Sequence, residues 1–126
     1  MENKSFFVRF ATLPQIRNNM ERLTPAEEKV MLRLWKLEKA TVKEIVDLYP
    51  NPKPAYNTVS TIVRILERKK FIKHKPMGRG YIYLPKIGRE QYRDYLADYI
   101  LKFYFDGSRN EIVSFYNSNV SLSEIL

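Results

Sequence analysis

The chain has 126 residues, a formal net charge of +8, 44% hydrophobic and 29% charged residues, and no cysteine. That length holds one compact domain plus a short accessory element, and the lack of cysteine excludes disulfides, zinc ribbons and thiol catalysis. No apolar run is long enough to span a membrane, and Arg9 interrupts Phe6-Phe7-Val8 before it can form a signal-peptide core, so the expectation is a cytoplasmic protein without direct membrane insertion.

The charge is unevenly spread. Residues 1–86 carry 18 Lys/Arg against 8 Asp/Glu, whereas residues 87–126 carry 4 against 6. A basic body followed by a mildly acidic tail predicts that the first part meets a polyanion and the second does something else. Residues 1–22 show no clean periodicity and read as an N-terminal arm or extension, with Met20 placed where a natural start could fall. The first marked element opens at Thr24-Pro25-Ala26-Glu27. Thr24 suits a cap, Pro25 the first helical position and Glu27 the carboxylate of a capping box. Val30, Met31, Leu34, Trp35 and Leu37 follow with helical spacing, which predicts a helix over 25–37. A second Thr-x-x-Glu box at Thr41–Glu44 predicts a short helix over 42–49, stopped by Pro50.

The third helix is expected from about Tyr56 to Lys70, with Val59, Ile62, Val63 and Leu66 at i, i+3, i+4 and i+7 as its buried stripe. Two runs of strand-like alternation come next, Phe71–Lys75 and Gly80–Leu84, joined by Pro76-Met77-Gly78-Arg79, and predict a β-hairpin. After Pro85 and Gly88 an amphipathic helix is expected over 89–105, ended by Asp106-Gly107-Ser108, and then a shorter one over 109–117.

Three helices followed by a hairpin is the order of a winged helix-turn-helix, in which the third helix enters the major groove and the hairpin lies along the DNA backbone. The fold class expected is therefore mainly α, with C-terminal helices after the winged helix. Its limits fall at 23–86 for the winged helix and 87–126 for the tail. With the apolar stripe buried, the opposite face of the third helix offers Asn57, Ser60, Thr61, Arg64 and Arg68, hydrogen-bonding and cationic groups that suit base edges and phosphates. Tyr56 and Thr58 in the same first turns are counted with them as candidate DNA-binding residues. Glu67 is the one acid between Asp47 and Glu90. Arg68, Lys69 and Lys70 near the helix end are expected at phosphates. Lys73, Lys75 and Arg79 put positive charge on the hairpin, with Arg79 at the tip where a wing would touch the minor groove or the backbone.

His74 is the one histidine, so with no cysteine beside it no metal site is expected. No phosphate-cradling glycine loop, nucleophile elbow or carboxylate pair stands in the sequence, and neither an enzyme nor a cofactor is expected. The tail holds Tyr92, Tyr95, Leu96, Tyr99, Ile100, Phe103 and Tyr104, then Ile112, Val113 and Tyr116. This is more apolar surface than a monomer exposes, which predicts burial in a homodimer that matches a palindromic operator in double-stranded DNA. On the residues alone two other readings stand beside sequence-specific binding. One is a winged-helix module that docks a protein or anionic partner, and the other is an architectural DNA binder without sequence preference.

Leu23–Met31, Leu34-Trp35, Tyr56–Ile62 and Leu66–Ile72 together resemble the BlaI/MecI family of penicillinase repressors, over roughly residues 21–117. The resemblance implies a winged-helix dimer that represses a dyad-symmetric operator at genes for β-lactamase or a resistant cell-wall enzyme. It implies as partner a membrane sensor with a metallopeptidase domain, whose signal leads to cleavage of the repressor in its dimerisation region, and it matches Thr58 and Thr61 to recognition-helix threonines. The chain departs from the pattern in three places. Lys70 stands where a glycine usually precedes the first wing strand, and Ser114-Phe115-Tyr116-Asn117 stands where cleaved members have an Asn-Phe pair. The last helix only begins, at Ser121–Glu124. The cysteine ligands of the copper-responsive relatives are absent.

Overall fold

A computed structural model of the chain describes residues 20–119. The expectations for the N-terminal arm before Met20 and for a helix opening at Ser121 lie outside the described residues. The elements run α1 (Pro25–Leu37), α2 (Val42–Asp47), α3 (Tyr56–Arg68), β1 (Ile72–Met77), β2 (Gly80–Pro85), α4 (Arg89–Tyr104) and α5 (Arg109–Asn119). This is a winged helix followed by C-terminal helices. Among the described residues, 20–91 form one compact unit and 92–119 belong to a second.

Both Thr-x-x-Glu boxes close. Thr24 Oγ1 accepts from Glu27 N at 3.2 Å while Glu27 Oε1 accepts from Thr24 N at 2.9 Å. Thr41 and Glu44 repeat the exchange at 3.2 and 2.8 Å. Each box satisfies two backbone donors that a helix start leaves orphaned. The core of the first unit lies between α1, α2, α3 and the root of β1. Val30, Met31, Leu34, Ala40, Ile45, Val59, Val63, Leu66, Phe71 and Ile72 are all buried there, and each large apolar side chain contributes about 1.5–3 kcal/mol. Ile62, expected in the buried stripe of α3, is only half-buried. It flanks the Val59–Val63–Leu66 line on the helical wheel instead of lying along its centre.

Helix α2 ends earlier than the expected residue 49. The N–H groups of Leu48 and Tyr49 bond back to the carbonyls of Ile45 and Val46 at 3.1 and 3.0 Å, three residues away, so the last turn tightens ahead of Pro50. The turn into α3 is clamped from two sides. Lys53 Nζ donates to the carbonyls of Asp47 and Tyr49 at 2.8 and 2.7 Å, supplying cation and donor to the end of α2. The Arg33 guanidinium of α1 lies 3.8 Å from the centroid of the Tyr49 ring.

The end of α3 is a full Schellman motif. Phe71 N bonds to Leu66 O at 2.9 Å and Lys70 N to Glu67 O at 3.0 Å, with Lys70 at φ 68°. A side chain in that left-handed region is strained by about 1–2 kcal/mol, and burial of Leu66 and Phe71 on either side of the turn offsets it. Lys69, just before, reaches back to α1. Its ammonium stands 2.9 Å from Glu27 Oε2 and 3.8 Å from Glu21, with the Glu27 side chain 6% exposed. Burial pushes the Glu27 carboxyl up, but the Thr24 backbone N–H and the Lys69 ammonium outweigh it and hold it below its ordinary value.

The hairpin is longer than the alternation suggests. Its strands pair in register from Ile72↔Pro85 to Met77↔Gly80, which leaves Gly78-Arg79 as a two-residue turn. Gly78 takes φ 60°, the left-handed first position of a type II′ turn. Pro76, expected in the connection, lies inside β1. It is tolerated because β1 is an edge strand, where the missing N–H faces away from the ladder. On its other side β2 is held by Ala40, which exchanges two backbone bonds with Tyr83 at 3.0 and 2.8 Å. Trp35 Nε1 donates to Ile87 O at 2.9 Å and ties the chain leaving the wing to α1.

Two outcomes test this packing. Lys70→Gly should raise stability by up to about 1 kcal/mol in urea denaturation, since glycine takes the left-handed turn without strain but loses more chain entropy on folding. Lys69→Met should lower stability at pH 7 by about 2–3 kcal/mol by stranding a buried carboxylate. Because the Glu27 pKa is lowered on folding, the native pair's contribution is complete above the unfolded carboxyl's titration and is lost as pH falls through the folded value. The deficit of the variant should therefore shrink below about pH 4.

Candidate nucleic-acid interface

The outer surface of α3 is built from residues at i, i+4, i+7 and i+11. Asn57, Thr61, Arg64 and Arg68 are exposed on the side opposite Val59, Val63 and Leu66, with Thr58 exposed beside them. Tyr56 at the helix start is 56% exposed, whereas Ser60 flanks the stripe and is half-buried. The Thr61 hydroxyl donates its one proton to Asn57 O at 2.9 Å. It therefore presents acceptor lone pairs and a methyl group outward, a combination suited to an amino group or a thymine methyl. No acid lies in the first turn of α3, and Ala55 at its cap supplies no side-chain acceptor. The positive end of this helix thus carries no built-in counter-charge.

The basic residues separate into three groups. Lys69 is committed to the Glu27 pair. Lys70 is exposed at the left-handed turn. In the wing, period-2 alternation and the pairing His74↔Tyr83 and Pro76↔Tyr81 put His74, Tyr81 and Tyr83 on one face. Lys73 and Lys75, opposite Leu84 and Ile82, fall on the other face, and Arg79 sits in the turn.

The His74 face meets α3. Its Nδ1 contacts Glu67 Oε2, and its ring stands edge-on to Tyr81 at a centroid distance of 4.7 Å and tilted to Tyr83 at 6.1 Å. Burial, with the Glu67 carboxylate and the Tyr56 phenol nearby, pushes the Tyr83 phenol above its ordinary value, while Arg64 pulls the other way. Arg64 is thus close enough to Tyr83 to feel the wing. Sequence reasoning places neither His74, Tyr81 nor Tyr83 at this surface. The seven-residue step from Glu67 to His74 crosses a helix end and a turn, and no periodicity carries across both.

In the second unit the tail aromatics divide. Tyr92 is 2% exposed, and Tyr95, Leu96, Tyr99 and Ile112 are half-buried. The Tyr99 ring stands 4.8 Å from Phe103 and 6.2 Å from Tyr104. Ile100, Phe103, Tyr104, Val113 and Tyr116 are exposed, joined by Phe115, whose ring rests 5.7 Å from Phe105. Ile112, Val113, Tyr116 and Asn117 line an open apolar hollow of about 340 Å³. The turn between α4 and α5 closes with Gly107 N on Leu101 O at 2.8 Å, and Ser108 Oγ caps α5 by accepting from Glu111 N at 3.1 Å.

Among the described residues no group of three His, Cys, Asp or Glu side chains is arranged to hold a metal ion, and no helix is long and apolar enough to cross a membrane. No curated protein matches the chain significantly. The family model described as "Penicillinase repressor" matches residues 23–125. That span takes in every described element from the Thr24 cap to the end of α5. The chain therefore belongs to the penicillinase repressor, or BlaI/MecI, family, whose members are transcriptional regulators and not enzymes.

Proposed function

We propose that this protein is a sequence-specific transcriptional repressor that binds a dyad-symmetric operator as a homodimer. In this reading α3 lies in the major groove, Asn57, Thr58, Thr61 and Arg64 face base edges, and Tyr56 and Arg68 flank them at the backbone. Lys70 and Arg79 meet phosphates, with Lys73 and Lys75 adding positive field from the far side of the wing. The observation that carries the reading is the polar, cationic stripe Asn57–Thr61–Arg64–Arg68, whose neighbouring acid Glu67 is held against His74. Such a stripe gives both the phosphate attraction and the hydrogen-bonding variety that base readout requires.

Dimerisation is assigned to the exposed apolar residues of α4 and α5, Ile100, Phe103, Tyr104, Val113 and Tyr116, with Tyr95, Leu96, Tyr99 and Ile112 behind them. An open apolar surface of this kind is stabilised when it is covered, and a two-fold partner covers it while setting two recognition helices at half-site spacing. The partner that ends repression is, by family resemblance, a membrane sensor with a metallopeptidase domain.

With about six phosphates contacted per dimer, affinity for the operator should fall with salt at a log–log slope near −5. Arg64→Ala should cost about 1–3 kcal/mol on the operator and relax base preference, whereas Arg79→Ala should weaken operator and random duplex alike and flatten the slope. Equal losses on both duplexes from Arg64→Ala would favour an architectural binder. A slope near zero would favour a protein-docking module.

A further inference from the structure

The wing is weakly anchored. Residues 82–85 of β2 are half-buried, but every residue from Lys73 to Tyr81 is exposed. A two-stranded hairpin with so little cover on its outer half is only marginally stable by itself. Its root is held through buried Ile72 and through the Ala40–Tyr83 bridge. Beyond the root, the side-chain contact that reaches back to the recognition helix is His74 Nδ1 to Glu67 Oε2. Glu67 is also the one carboxylate on α3, where an unpaired acid would oppose a polyanion at close range. Its side chain is 32% exposed and that of His74 41%, so the contact sits at the rim of the DNA-facing surface, within reach of Tyr81, Tyr83 and Arg64.

We infer that Glu67 and His74 form a strut that sets the angle of the wing to α3, making Glu67 a positioning residue for operator binding and not a contact to DNA. The inference rests on the DNA-binding reading above. Neutral or protonated, the imidazole can donate from Nδ1 to the carboxylate. The edge-on Tyr81 ring fixes the imidazole plane so that the donor points at α3. With the strut in place, the Gly78-Arg79 turn is carried at a defined height beside α3. Without it, the exposed hairpin pivots about Ile72 and Tyr83, and Arg79 loses its register on the backbone.

Footprinting of the full chain on an operator selected from random DNA tests this. Dimethyl sulfate reports α3 at guanine N7, and hydroxyl radical reports the wing at the backbone. Glu67→Ala should keep the guanine protection, lose the wing protection and weaken binding about tenfold. Glu67→Gln, whose amide oxygen still accepts from Nδ1, should restore both. His74→Ala should match Glu67→Ala, with the double variant no worse than either single. Thermal midpoints should stay within about 2 °C of wild type, which separates mispositioning from unfolding. Tighter binding by Glu67→Ala with an intact wing footprint would overturn the strut, because that is what removing a merely repulsive acid does. Additive losses in the double variant would overturn it too. If the wild type itself protects no DNA, the DNA-binding reading falls first and the strut with it.

Discussion

The carboxylate of Glu27 joins two parts of the fold, the start of α1 and the end of α3. It accepts the Thr24 backbone N–H that closes the start of α1, and it takes the Lys69 ammonium at the end of α3 at 2.9 Å. A buried carboxylate without such partners is strongly unfavourable, so both must be present once the chain has folded around it. The first turn of α1 and the last turn of α3 are thereby held together across 42 residues of sequence. The Schellman turn at Lys70 and the burial of Phe71 depend directly on where that end of α3 is held. The direction in which β1 leaves, and hence the place of the wing, depends on the same contact.

Electrostatics then divides the basic residues by task. Lys69 and Lys53 stabilise the scaffold, one through an ion pair and the other through helix-end carbonyls. Arg33 also faces inward, stacked on Tyr49. Within α3 and the wing, Arg64, Arg68, Lys70, Lys73, Lys75 and Arg79 are exposed. A high count of Lys and Arg is therefore a poor guide to how many meet a polyanion. Geometry narrows the candidates, because a cation within reach of a buried carboxylate or a carbonyl row is already occupied.

The helix starts are legible in the sequence because they are local: a threonine, a glutamate three residues on and a proline between them define α1, and the second box defines α2. The polar face of α3 is legible for the same reason, being the complement of a single apolar stripe. Helix ends are less so. The tightening at Tyr49 and the left-handed Lys70 depend on the residues downstream of each helix and on buried neighbours across the fold. Pro76 argues against a strand in isolation, and only its position on an unpaired edge makes it compatible with one. Lys69, expected at phosphate, instead finds a partner 42 positions away that no local pattern announces. His74 and Glu67 are each visible as single residues, but their meeting depends on the strand register that sets His74 opposite Tyr83.

Selection of duplexes from a random pool by the purified full chain tests most directly whether the Asn57–Thr61–Arg64–Arg68 stripe reads sequence from a two-fold dimer. The predicted result is one enriched motif with two inverted half-sites whose centres lie about 10–10.5 base pairs apart or a multiple of that. A pool that stays random, or a motif without inverted symmetry, would contradict it.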